Sequence, residues 1–202
     1  MNKIIAALDG MEFKETLDFL SPIQDKLYGI KINHPLLPHL SDYIKDGYKV
    51  FVDLKLYDIP NTVEKVIEWL IKQNVYMTTI HFENGEKCID QISHLTNEIN
   101  LYIVSHLTSF PPDTTRQNSI YAHMCSTPIY FNFNVILSPL DLPIFNNYDT
   151  IHKFKRACPG IRLNKSNDDQ IRIATPEYAK KHGADYLVIG RPLKENKIEC
   201  FL

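Results

Sequence analysis

Residues 52–62 read VDLKLYDIPNT and place three charged side chains where a buried strand is expected to end. The apolar, β-branched residues before them predict a strand, and Asp53 and Lys55 occupy alternate positions near its end. Because alternate residues of an extended segment share one face, we expect both side chains to point the same way, with Asp58 just beyond. Taken alone, the pattern fits either a surface group of ion pairs or a charged cluster that carries chemistry.

Short apolar runs of the same kind recur along the whole chain, with helix-like stretches between them. The eight predicted strands are residues 4–8, 28–32, 49–54, 76–82, 101–106, 131–137, 154–159 and 185–190. Strands that alternate with helices predict parallel crossovers, which leaves a closed (β/α)₈ TIM barrel or an open doubly wound sheet. We favour the α/β barrel because polar groups follow many different strands, and only a barrel brings those strand ends to one mouth.

The helical stretches vary in quality along the chain. The clearest are residues 12–20, 61–73 and 175–184, the last with Thr175 as its N-cap. Residues 110–130 have poor helical periodicity, and the tail after Pro192 is short. A typical barrel has about 250 residues, so 202 lie near the lower end. We therefore predict one compact barrel domain over residues 1–202, with a shortened helix-five region and a short C-terminal helix.

The bulk composition excludes several classes of protein. Apolar residues make up 44% of the chain and charged residues 23%, which is typical of a soluble globular protein. A formal net charge of −2 provides no basic field for general nucleic-acid binding. The four cysteines form no CxxC pair, and no apolar run approaches the roughly 18 residues of a membrane span. We expect a cytoplasmic protein with reduced thiols that binds neither nucleic acid nor membrane.

Charged residues at other strand ends favour the chemical interpretation of residues 52–62. Asp9 follows the first predicted strand, and Lys31 lies at the end of the second. In a barrel these two would meet Asp53 and Lys55 at the mouth. Each lysine would then offset the desolvation of its carboxylate neighbours, so that a buried array of alternating charges stays ionised.

The last two predicted strands are each followed by glycine and arginine. Gly160 and Arg162 lie in CPGIR, and Gly190 and Arg191 lie in VIGRP. Glycine lets backbone N–H groups approach an anion, arginine supplies a forked donor, and these two loops form the usual phosphate site of a barrel. Ordinary turns with surface arginines are the alternative.

Polar residues on neighbouring loops add a second set of candidates. Thr108 and Ser109 follow the fifth strand, and Gln170 lies after the seventh; hydroxyl and amide groups can bind the edge of a heterocycle. His81 and His106 are interpreted as packed or hydrogen-bonded. We assign no metal ligands, and the lack of GxxxxGK and GxGxxG motifs disfavours nucleoside triphosphates and dinucleotides.

Seven segments in order along the chain resemble the orotidine 5′-monophosphate decarboxylase family. They are ALD (7–9), DLKLYDIPNTV (53–63), TIH (79–81), LTS (107–109), PGIR (159–162), DQ.R..TP (169–176) and GADYLVIGRP (183–192). The IPNT extension is the most specific, since related barrel enzymes share DxKxxD but continue differently. Asn33 departs from the pattern, because a glycine is common at that place.

The resemblance implies a cofactor-free conversion of orotidine 5′-monophosphate (OMP) to UMP and CO₂, in which Lys55 protonates C6. The implied catalytic group is Lys31, Asp53, Lys55 and Asp58. The implied substrate contacts are Asp9, Ile59, Thr62, Thr108, Ser109, Arg162, Gln170, Gly190 and Arg191. The resemblance also implies a homodimer, in which Asp58, Ile59 and Thr62 reach the partner's site.

Two other functions remain open from the sequence. One is a related magnesium-dependent decarboxylase or synthase that acts on sugar phosphates and shares DxKxxD. The other is a nucleotide-binding pseudoenzyme that keeps the phosphate contacts but has lost turnover.

Overall fold

The computed structural model describes residues 3–164 and 171–201, and eight parallel strands in it close into a barrel in sequence order. The strands are β1 (Lys3–Ala7), β2 (Gly29–Ile32), β3 (Val50–Leu56), β4 (Met77–His81), β5 (Asn100–Val104), β6 (Asn134–Ile136), β7 (Arg156–Cys158) and β8 (Tyr186–Ile189). Closure occurs through pairing of β1 with β8. The predicted barrel is confirmed, and the open sheet is wrong.

Each predicted strand overlaps an observed strand, and the largest difference is at β6. The prediction covered residues 131–137, but β6 has only three residues. Phe133 lies before the strand and is only 1% exposed, so it packs in the core from an irregular segment. Apolar content predicted the burial of this region correctly but not the extent of its backbone pairing.

Eight α-helices surround the strands in the described part of the chain. They are α1 (Phe13–Leu20), α2 (Leu40–Lys45), α3 (Pro60–Lys72), α4 (Gly85–Ile92), α5 (Thr114–Ser126), α6 (Leu142–Asn146), α7 (Pro176–Lys181) and α8 (Arg191–Glu195). Their buried faces and the outer face of the sheet form the larger of two apolar clusters. As predicted, the Thr175 side chain caps α7 by accepting from the backbone N–H of Tyr178.

Helix α5 contradicts the prediction of a shortened helix five. It has 13 residues, as many as α3. Its buried face carries Gln117, Ile120, Tyr121 and Met124, which have the i, i+3, i+4, i+7 spacing of a helical stripe. The polar Gln117 and the tyrosine interrupt the apolar signal of that stripe, so periodicity failed where a helix forms.

The C-terminal end is short, as predicted. Helix α8 has five residues, and a 3₁₀ turn at Ile198–Phe201 follows it. Ile198 and Phe201 are buried. The surface ion pairs Lys194–Glu15 and Lys26–Glu199 hold this end of the chain against α1 and the segment that follows it. Among residues 3–164 and 171–201, no helix has the length and apolarity needed to cross a membrane.

A second apolar cluster fills the inside of the barrel. It contains Phe51, Met77, Tyr102 and Tyr186, among others, with Tyr28 and Tyr76 packed against it. Interior side chains of this kind make the barrel a packed core rather than a pore.

Candidate active site

A cavity of about 740 Å³ opens at the C-terminal ends of the strands. Ala7 and Val188 belong both to the barrel interior and to the cavity lining, so the apolar core forms the cavity floor. Nine of the thirteen predicted site residues line the cavity: Asp9, Lys31, Asp53, Lys55, Thr108, Ser109, Arg162, Gly190 and Arg191. The structure thus brings together residues from six strand ends.

A continuous chain of ion pairs crosses one wall of the cavity. Lys31 Nζ lies 2.7 Å from Asp9 Oδ2 and 3.2 Å from Asp53 Oδ2. Lys55 Nζ lies 2.9 Å from the same Asp53 oxygen. The side chains of Lys31 and Asp53 are 10% and 11% exposed, whereas Lys55 is 39% exposed. One exposed end of the array is therefore a lysine ammonium held by a buried carboxylate, and the other is Asp9, whose side chain is 45% exposed.

The backbone beneath Asp53 and Lys55 departs from a regular strand. Val52 pairs with Thr78 and Leu56 with Ile80, so three residues of β3 lie opposite the single residue Thr79. Within this bulge Lys55 has a φ of 48°, in the left-handed region that non-glycine residues rarely adopt. Asp53 and Lys55 do point into the same cavity, as expected, but the reason is a bulge rather than the regular alternation of a strand.

Thr79 fixes the geometry of this bulge. Its hydroxyl donates to Asp53 Oδ1 at 2.9 Å and accepts from the backbone N–H of Lys55 at 2.8 Å. One β4 side chain therefore holds both a carboxylate and the strained residue next to it. Strain of this kind persists only where surrounding contacts enforce it, and it is frequent at active sites.

The charges in the array keep each other ionised. Burial acts to raise the pKa of Asp53, but Lys31 and Lys55 outweigh it and the pKa is lowered. Burial likewise acts to lower the pKa of Lys31, but Asp53 and Asp9 outweigh it and the pKa is raised. Both residues are charged throughout the neutral range, so the array presents fixed charges.

The lowered pKa of Asp53 predicts how stability depends on pH. Its contribution is fully present above the unfolded-state pKa of about 4 and is lost as pH falls through the lower folded-state value. The difference in unfolding free energy between the wild-type protein and Asp53→Asn should therefore be largest near neutrality and shrink below about pH 4. Urea unfolding followed by circular dichroism from pH 3 to 7 measures this difference. A difference that stays constant over that range would contradict the assignment.

The loops after β5 and β7 form the opposite wall. Gly160 has a φ of 77°, and a Cβ there would lie 2.9 Å from the carbonyl oxygen of Arg172, so this position requires glycine. Arg162 is 8% exposed and donates from Nη1 to the Ile161 carbonyl at 2.9 Å. Two arginines, Arg162 and Arg191, thus line the cavity far along the chain from the lysines.

Four predicted site residues do not line the cavity in this chain or are not described. Asp58 and Ile59 lie on the surface just before α3, and Ile59 is 65% exposed; Thr62 lies in the first turn of that helix. Asp58 Oδ1 accepts from the Ile59 N–H at 2.6 Å, and the Asp58 N–H donates to Asn84 Oδ1. Gln170 lies outside the described residues.

Sequence reasoning missed two residues of the array. Thr79 lies within the TIH segment, for which the sequence predicts no role, and Asn33 stands out in the sequence only because it replaces a glycine. Asn33 Nδ2 donates to Asp9 Oδ1 at 2.7 Å, so it orients the outer carboxylate.

His106 has the expected hydrogen bond, from Nε2 to the Pro111 carbonyl at 2.8 Å, and it also lines the cavity. In the described ranges there is no cluster of three or more acidic, histidine or cysteine side chains that could hold a metal ion.

Comparison with known sequences gives one consistent family. A model of the orotidine 5′-phosphate decarboxylase / HUMPS family matches residues 2–198. A curated orotidine 5′-phosphate decarboxylase of Wigglesworthia glossinidia brevipalpis is 31% identical, over 97% of this chain and 92% of its own length. Those of Dictyoglomus turgidum and Streptococcus pyogenes serotype M49 are each 33% identical over 96% of this chain, and 88% and 91% of their own lengths.

Solved structures agree on the fold. A crystal structure of orotidine 5′-phosphate decarboxylase from Lactobacillus acidophilus has a TM-score of 0.77 at 24% identity, over 98% of this chain and 93% of that one. The corresponding protein from Methanocaldococcus jannaschii, complexed with the inhibitor BMP, has a TM-score of 0.75 at 16% identity, over 100% and 96%. At these identities the structures support the barrel fold alone.

Proposed function

Because this chain belongs to the orotidine 5′-phosphate decarboxylase / HUMPS family, we propose that it converts OMP to UMP and carbon dioxide in de novo pyrimidine synthesis, as a carboxy-lyase of one catalytic domain. The observation that carries the proposal is the array Asp9–Lys31–Asp53–Lys55 on the wall of the cavity. A volume of about 740 Å³ falls in the range of small-molecule sites and suits a nucleotide.

The chemistry requires electrostatic help at one carbon atom. When the bond from C6 to the carboxylate breaks, the electron pair stays on an sp² carbon with little resonance relief. Asp53 raises the energy of the nearby substrate carboxylate, and the Lys55 ammonium stabilises the charge that develops at C6 and then gives C6 its proton. The cavity supplies these charges already in place, so the proposed reaction needs no cofactor.

The remaining contacts divide between the ribose, the base and the phosphate. In the proposed complex Asp9 binds the ribose hydroxyls, and Thr108 and Ser109 bind the pyrimidine. Arg162, Gly190 and Arg191 bind the phosphate, and Gln170 bridges phosphate and base. Arg162 follows β7 and Arg191 follows β8, whereas the lysines lie on β2 and β3. The two pairs therefore occupy different parts of the cavity mouth, which suits a ligand with its phosphate remote from the reacting carbon. Binding energy at that remote group can offset the cost of assembling the charges.

We further propose that the protein works as a cytoplasmic homodimer in which Asp58, Ile59 and Thr62 complete the site of the partner. The position of these residues supports the proposal. Asp58 and Ile59 are exposed and do not line the cavity of their own chain, yet they follow Lys55, which does, by only three and four residues. Tyr57, two residues before Ile59, is a second large apolar side chain and is 68% exposed. An exposed apolar patch beside a site is typical of an interface.

The proposed reaction predicts full turnover without a divalent metal. Purified protein incubated with OMP and EDTA should show the ultraviolet absorbance change that accompanies formation of UMP. The magnesium-dependent alternative predicts no turnover of OMP, and turnover of a sugar phosphate that EDTA abolishes and added magnesium restores. The pseudoenzyme alternative predicts UMP binding by calorimetry with an unchanged spectrum, and that result would refute the proposal.

A further inference from the structure

Arg172 is a fully buried arginine that contacts three of the loops around the cavity. Its relative exposure is 1%, and neither Arg172 nor its partner Asp141 lines the cavity among the described residues. The motif DQ.R..TP contains Arg172, but the proposed reaction gives it no role. A buried guanidinium in this place needs an explanation, because burying a charge costs free energy unless it is paired and hydrogen-bonded.

The side chain of Arg172 joins the loop after β5 to the segment after β6. Nη1 donates to Asp141 Oδ1 at 2.6 Å and also contacts Oδ2. Nη2 donates to the carbonyl oxygens of His106 and Leu107 at 3.1 and 2.9 Å. One planar group therefore fixes the backbone immediately before Thr108.

The backbone of Arg172 makes the connection to the remaining loop. Its N–H donates to the Thr108 carbonyl at 3.2 Å, and its carbonyl accepts from Ser138 Oγ at 3.1 Å. The same carbonyl lies so close to Gly160 that a Cβ there would not fit. Two residues on, Ala174 accepts from the Arg162 N–H at 2.9 Å. Thus one residue outside the cavity contacts, directly or through the nearby Ala174, four residues that line it: Thr108, Ser138, Gly160 and Arg162.

We propose that Arg172, held by Asp141, is a positioning residue that sets the distance between the pyrimidine contact at Thr108 and the phosphate contact at Arg162. The inference rests on the proposed function. A buried ion pair is weak evidence for a role in stability alone, because a well-packed apolar pair often serves as well. A forked guanidinium on two carbonyls and a carboxylate instead fixes direction, which lysine cannot reproduce.

The chain contains a matched control for this test. Arg156 and Asp149 form a second buried ion pair, 2.7 Å long, with side chains 2% and 1% exposed. Arg156 begins β7, at the end of the strand away from the mouth, and its guanidinium also contacts His152, the Gly183 carbonyl and the Phe145 ring. None of these residues lines the cavity in the described part of the chain. Equivalent substitutions in the two pairs therefore disturb folding similarly but differ in their connection to the loops.

The experiment compares Arg172→Lys with Arg156→Lys by thermal unfolding, by steady-state kinetics with OMP and by calorimetric titration with UMP. Arg172→Lys should lower kcat/KM by about 100-fold, the cost of a misplaced binding group, with KM raised and UMP bound more weakly. Arg156→Lys should lose comparable thermal stability and keep its KM and UMP affinity. A purely structural role lowers the amount of active protein, which reduces kcat and leaves KM unchanged.

Equal effects of the two substitutions on KM and UMP affinity would overturn the inference, as would a folded Arg172→Lys protein with wild-type KM. If Arg172→Lys fails to fold, Asp141→Asn and Asp149→Asn repeat the comparison, since each leaves its arginine in place. Wild-type protein that binds UMP but does not convert OMP would refute the proposed function, while UMP affinity still tests the positioning role. Wild-type turnover with equal variant effects would refute the positioning role alone.

Discussion

Replacing Lys55 with alanine is expected to lower kcat for OMP by about 10⁴-fold, the upper range for loss of a group that transfers a proton. Lys55 is the more exposed of the two lysines in the array, and its ammonium lies 2.9 Å from Asp53. Its removal takes away both the charge proposed to lie beside C6 and the proton that C6 receives in the proposed reaction. UMP carries no charge at C6, and its affinity should change little. Stopped assays at high enzyme concentration, with UMP titration by calorimetry, measure the two effects separately.

The control for this variant is Lys45→Ala. Lys45 is an exposed lysine at the C-terminal end of α2, the last residue of that helix, and it does not line the cavity among the described residues. This variant should keep wild-type kcat and UMP affinity. Turnover by Lys55→Ala at a rate similar to that of Lys45→Ala would show that another group donates the proton.

The second large effect concerns residues that the proposed dimer shares. Asp58→Ala should lower kcat/KM by about 1,000-fold, because the substitution removes a charge that the partner's site requires. Asp58 is exposed, and its side chain accepts only from the adjacent Ile59 N–H in the described contacts of the chain. The folded protomer should therefore be little destabilised, and thermal unfolding checks that point.

Mixing Asp58→Ala with Lys55→Ala tests whether each active site is shared between two chains. If Lys55 and Asp58 of one site come from different chains, a heterodimer of Lys55→Ala and Asp58→Ala has one intact site and one doubly defective site. After subunit exchange at equal concentration, about a quarter of all sites should be intact, and activity should return to that level. Activity that stays at the level of the separate variants would mean that both residues act within one chain. Asp53→Asn mixed with Lys55→Ala provides the control, since both residues lie in the same cavity wall and no intact site can form.

The sequence predicted the order of the fold because strand and helix periodicities are local properties. Eight apolar runs with helices between them were enough for the barrel, and the barrel in turn collected Asp9, Lys31 and Arg191 at one mouth. The full length of helix α5 was not predicted, because Gln117 occupies a buried position where a periodic pattern requires an apolar residue. Burial of that residue depends on tertiary packing, which local patterns do not contain.

The details of the site were less predictable, because they depend on contacts between segments distant in sequence. The bulge in β3 exists only in relation to its pairing with β4, so neither it nor the role of Thr79 could be derived from residues 52–62. Asn33 and Arg172 likewise acquire their roles from partners 24 to 66 residues away. Spacing along the chain identified which residues carry charge, while hydrogen bonds across the barrel determine how those charges are aimed.

At Lys55, whose backbone is in the left-handed region, stability and the proposed chemistry favour different residues. Glycine or asparagine would adopt this conformation at lower cost, so the fold itself would be more robust without lysine there. A laboratory selection for thermal stability alone would therefore favour replacement of Lys55. That replacement would remove the amino group that donates the proton in the proposed reaction. Durability and turnover would have to be selected together.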